Sequence, residues 1–69
     1  MSKQAPLQIT LKAARVNAKF TQEEVARKLR INKQTVVNWE NDLSEPKLRQ
    51  AKALCNLYGI TLNDIFLPD

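Results

Sequence analysis

The sequence predicts an all-α fold in which five short helices pack as one compact domain. Apolar residues recur at spacings of three and four through residues 11–66, the pattern of helices with one buried face. Four of the five segments open on a helix-capping Thr or Asn. The single Gly and the three Pro stand at segment boundaries rather than inside them.

The 69 residues suffice for one domain. Residues 1–9, with Pro6, read as an N-terminal arm, and residues 10–67 as the domain. Thr10 caps a first helix over 11–19, whose stripe is Leu11, Ala14 and Ala18. Thr21-Gln-Glu-Glu24 is a capping box, and Phe20 with Val25 supplies the matching hydrophobic staple, so three cues agree on the second start. Val25, Ala26 and Leu29 bury that helix, which ends at Leu29 or Arg30. Asn32 then caps a third helix over 33–41. Two helices joined by about three residues must cross steeply. Val36 and Trp39 point inward, leaving Lys33, Gln34, Val37 and Asn38 outside. Residues 41–46 form a turn, and Pro46 suits the first turn of a fourth helix, where no amide proton is needed. Leu48, Ala51, Leu54, Cys55 and Tyr58 carry its stripe to Gly59, which suits a left-handed stop. Thr61 and Asp64 repeat the capping logic and Ile60 with Ile65 the staple, for a fifth helix ending by Pro68. Trp39, Tyr58, Phe66 and Cys55 read as core residues.

One Cys and no His exclude a disulfide framework, a zinc site and an imidazole base. No paired-carboxylate cleft, glycine-rich phosphate loop or nucleophile with a base is found, so the chain reads as no enzyme, with no metal, cofactor or small-molecule ligand. It has neither a signal peptide nor a run of roughly 20 apolar residues, which places it in the cytoplasm and off the membrane. Net charge is +4, and all eleven Lys and Arg lie in residues 1–52. That asymmetry suits a polyanionic partner.

Two helices at a tight corner, the second presenting Lys, Gln, Thr and Asn near its start, are what reading the DNA major groove requires. Gln34 or Asn38 can pair bidentately with adenine, Lys33 can donate to guanine, and Val37 or Thr35 can meet a thymine methyl. The start of the second helix, with Gln22 beside its amides, favours a phosphate. Lys3, in the arm, has the chemistry for a minor-groove contact, though such a lysine is more often simply solvated.

Leu11-Lys-Ala-Ala-Arg15, Phe20 through Leu29, Lys33 through Asn41, Glu45-Pro46 and Leu57 through Phe66 together resemble the Cro/CI-type, or XRE, helix-turn-helix family of phage repressors and bacterial regulators. The resemblance implies a five-helix, lambda-repressor-like domain. It would work as a sequence-specific transcription regulator, a bacterial or phage-encoded repressor; the alternative is an antitoxin or protein-binding adaptor on the same fold. The helix at 33–41 would read bases through Lys33, Gln34 and Asn38, with Val37 nearby. Gln22, Thr35, Asn41 and Lys47 would hold phosphates, and Arg15 would pair with Glu40. Where relatives often carry Gly, this chain has Arg30 and Asp42; if left-handed, both are strained, and Arg30 compensates with a phosphate contact. The expected partners are a double-stranded operator and a second copy of the chain, through Leu62, Phe66 and Leu67.

Overall fold

The computed structural model describes residues 9–65. These form four α-helices, α1 (Leu11–Asn17), α2 (Gln22–Leu29), α3 (Lys33–Glu40) and α4 (Leu48–Tyr58), followed by a 3-10 turn at Leu62–Asp64. The fold is all-α.

Helix starts follow the capping residues. Thr10 Oγ1 accepts from the Ala13 amide at 3.0 Å. At α2 the capping box is complete: the Glu24 amide donates to Thr21 Oγ1 at 3.0 Å, and the Thr21 amide to Glu24 Oε1 at 2.8 Å. Such caps contribute about 1 kcal/mol each by satisfying amides that have no intrahelical partner. Two expected starts differ. Asn32 has cap-like backbone angles but makes no side-chain cap bond, and its carbonyl instead accepts from the Thr35 amide at 3.0 Å. Pro46 lies one residue before the Lys47 cap position; Gln50 Oε1 takes the Lys47 amide at 3.0 Å, so α4 begins without the proline.

The helices stop by one shared device. In each, a left-handed residue is followed by an apolar residue whose amide reaches back five positions, the Schellman arrangement. The left-handed residues are Lys19 (φ 66°), Arg30 (φ 59°), Asp42 (φ 60°) and Gly59 (φ 72°). The amides that reach back are Phe20 to Arg15 at 3.2 Å, Ile31 to Ala26 at 2.9 Å, Leu43 to Asn38 at 2.9 Å and Ile60 to Cys55 at 3.0 Å. Lys19 therefore ends α1 at Asn17, two residues before the expected limit. Phe20, Ile31 and Ile60 pack against the core, whereas Leu43 is 73% exposed, so α3 alone lacks that apolar seal.

The expected fifth helix is a single 3-10 turn, in which the Thr61 amide and hydroxyl both donate to Asp64 Oδ2. Beyond it Ile65 is extended and forms an isolated parallel bridge with Ile9, and the Asp64 carbonyl accepts from the Ile9 amide at 2.9 Å. An extended residue bonded this way cannot continue a helix. The same bond holds Ile9, assigned above to the arm, half-buried against the core.

The core gathers Leu11 and Ala14 from α1, Val25 and Ala26 from α2, Val36 and Trp39 from α3, Leu54, Cys55 and Tyr58 from α4, and Ile65. Leu54, Val25 and Val36 are fully enclosed, each worth roughly 1.5–3 kcal/mol of removed apolar surface. Trp39 and Tyr58 belong to this core as read from the sequence. With α2 and α3 in the most extensive helix–helix packing, their inner faces are committed and their outer faces are left over.

Candidate nucleic-acid interface

The corner between α2 and α3 is three residues long. Arg30 turns the chain in the left-handed region (φ 59°, ψ 47°), Ile31 packs inward, and Asn32 is extended before Lys33 opens the next helix. Because Ile31 both bonds to Ala26 and docks on the core, the two helices cannot merge into one rod.

On α3 the inward positions are Val36 and Trp39, 1% and 5% exposed. Lys33 and Gln34 stand in solvent, while Thr35, Val37 and Asn38 are half-buried. Gln34 and Asn38, one turn apart, are joined: Gln34 Nε2 donates to Asn38 Oδ1 at 3.0 Å. The first turn of α3 holds no acid and carries Lys33. A cation at that positive end is unfavourable for the helix alone and favourable opposite an anion.

The other end of α3 is clamped. Arg15 Nε meets Glu40 Oε2 at 2.7 Å and Nη2 meets Oε1 at 3.2 Å, a two-pronged pair with side chains 11% and 3% exposed. The Glu40 hydrogen bond raises the Arg15 pKa further above its ordinary range, so the guanidinium stays charged. Arg15 Nη1 also donates to the Phe20 carbonyl at 2.9 Å, tying the α1–α2 loop to α3. Neither that bond nor the next was read from the sequence. Gln22, expected to give its amide to a phosphate, donates Nε2 to Glu40 Oε1 at 3.0 Å. One N–H and the carbonyl oxygen of Gln22 remain beyond this bond. Nearby Tyr58 is pushed up to about 12, first by burial and then by the Glu40 charge, so the phenol is neutral at physiological pH.

The remaining expected phosphate ligands, Arg30, Asn41 and Lys47, are all exposed. Arg30 and Asp42 are indeed left-handed, as their departure from the glycine pattern anticipated. Of the expected dimer surface, Leu62 is half-buried against the core, while Phe66 and Leu67, like Lys3 and Pro68, lie outside the described residues. No helix among the described residues is long and apolar enough to cross a membrane.

Two short helices locked at a three-residue corner, the second turning a polar, amide-bearing face outward, define a helix-turn-helix domain. The chain belongs to the Helix-turn-helix family, whose model matches residues 11–65. It is 33% identical over 57 residues to the "Uncharacterized HTH-type transcriptional regulator MJ0272" of Methanocaldococcus jannaschii, covering 83% of this chain and 86% of that one. It is 39% identical over 59 residues to the "HTH-type transcriptional regulator ImmR" of Bacillus subtilis, covering 86% of this chain and 46% of that one. No solved structure matches.

Proposed function

We propose that this domain is a sequence-specific DNA-binding transcriptional regulator, a repressor, that lays the outer face of α3 in the major groove. The observation that carries the reading is the exposure of Lys33 and Gln34 on a helix held at both ends, by the Ile31 corner and by the Arg15–Glu40 clamp. Membership in the helix-turn-helix family and two relatives described as transcriptional regulators support it. Lys33, Gln34, Val37 and Asn38 read bases. Gln22, Arg30, Thr35, Asn41 and Lys47 hold phosphates and so set the orientation. The domain has no catalytic role, acts in the cytoplasm, and works as a homodimer, because one such module offers a small interface and two-fold pairing reads two half-sites about one helical turn apart.

Selection of bound sequences from a random DNA pool, repeated at two salt concentrations, tests this. The expected result is a pseudo-palindrome bound with steeply salt-dependent affinity. Gln34→Ala should weaken the selected site by about 1–3 kcal/mol and leave non-specific binding nearly unchanged. Absent or salt-insensitive binding would return the domain to the protein-binding adaptors, and one monomer per operator would remove the dimer.

A further inference from the structure

The bond between Gln34 and Asn38 limits what each can recognise. Residues four apart on a helix share a face, and here the longer side chain leans back onto the shorter, Gln34 Nε2 donating to Asn38 Oδ1 at 3.0 Å. A side-chain amide has two N–H donors and one carbonyl acceptor. The bond consumes one N–H of Gln34 and engages the carbonyl of Asn38. Gln34 is left with one N–H beside its own carbonyl, a donor–acceptor edge. Asn38 is left with two N–H donors against a single remaining lone pair on a carbonyl that Gln34 already engages.

Those two remainders differ in the base edges they fit. In the major groove adenine offers N7 as acceptor and N6 as donor, which a donor–acceptor edge matches. Guanine offers N7 and O6, both acceptors, and thymine O4, whereas cytosine presents its N4 donor. We propose that Gln34 and Asn38 act as one coupled reading unit, in which Gln34 reads adenine and Asn38, whose free donors outnumber its remaining lone pair, favours an acceptor edge, guanine or thymine. This rests on the DNA-reading role of α3 and resolves which of the two amides takes adenine. The coupling also has an entropic side. Asn38 is half-buried and restrains Gln34, so the freedom of an exposed Gln is already reduced before DNA arrives and less is lost on binding.

The test is a random-pool selection with the wild type, Asn38→Ala, Asn38→Asp and Gln34→Ala, each first checked for native helicity by circular dichroism. The wild type should specify adenine at one position and guanine or thymine at another. Asn38→Ala removes the anchor of Gln34 and should relax both positions, the adenine preference falling roughly 10-fold. Asn38→Asp keeps the acceptor that holds Gln34 but has no donors, and should keep the adenine preference while losing the other. Three outcomes would overturn the coupling: Asn38→Ala relaxing one position only, Asn38→Asp losing adenine, or adenine tracking residue 38. A wild type that selects no sequence, or binds without salt dependence, would overturn the DNA-reading function itself and the coupling with it.

Discussion

Replacing Arg30 by Gly should leave a more stable domain than replacing it by Ala, while both replacements should weaken DNA binding. Arg30 sits at φ 59° and ψ 47°, where the Cβ of an L-residue crowds the following carbonyl and costs roughly 1–2 kcal/mol. Gly escapes that cost but returns about 0.4–1 kcal/mol as extra entropy of the unfolded chain. With the middle of each range, the net gain of Gly over Ala is about 0.8 kcal/mol. In a domain of this size that is a melting temperature about 3–6 °C higher, at roughly 4–8 °C per kcal/mol. The Gly–Ala comparison matters because both variants lose the same guanidinium, including its attraction to the negative end of α2. Trp39, 5% exposed in the folded domain, is a built-in fluorescence reporter for the melts. If Arg30 holds a phosphate, both variants should also flatten the plot of log affinity against log salt by about 0.9. Equal melting temperatures for Gly and Ala would refute the strain argument, whatever the DNA result.

Three further outcomes are expected. Glu40→Ala strands Arg15 and a donor of Gln22 in a largely closed site and should cost about 3–5 kcal/mol by urea unfolding, while Arg15→Met combined with Glu40→Met should cost much less; a loss below about 1 kcal/mol for Glu40→Ala would mean the clamp is not buried as described. The Glu24 carboxyl is held below its ordinary 4.5, first by the backbone amide of Thr21 and then by its hydroxyl, so its stabilising effect is present above that pH and lost as pH falls through the lower folded value. Acid unfolding of Glu24→Gln should lack that component, and an unshifted Glu24 titration by NMR would contradict it. Tyr58 is raised from 10 to about 12 by burial, so stability is complete below pH 10 and falls by about 2–3 kcal/mol as pH climbs through 12. Tyr58→Phe should remove that decline, with the buried Cys55 thiol contributing equally to both proteins; identical alkaline curves would argue against it.

Helix starts were legible because a cap is a local event. A Thr hydroxyl and an amide three residues on are enough, and Thr10 and Thr21 perform as their positions suggest. Helix ends were harder, since three of the four left-handed stops are Lys19, Arg30 and Asp42 rather than Gly, and Lys19 gave no sign of itself. The usable signal was the apolar residue after each stop: Phe20, Ile31, Leu43 and Ile60. The outward face of α3 followed from the spacing of Val36 and Trp39. The Arg15–Glu40 pair came from family resemblance, and nothing in the spacing placed Gln22 on the same carboxylate.

Local chemistry specified what lies within about five residues: four helical segments, the caps at Thr10 and Thr21, the face each helix buries, and the polar face left on the third. Tertiary structure decided the rest. It stopped the fifth segment after one turn by pairing Ile65 with Ile9, and it brought Arg15, Gln22 and Phe20 around Glu40. These contacts join residues as far as 56 positions apart, and their formation depends on the packing of whole helices. Local periodicity contains no term for that distance.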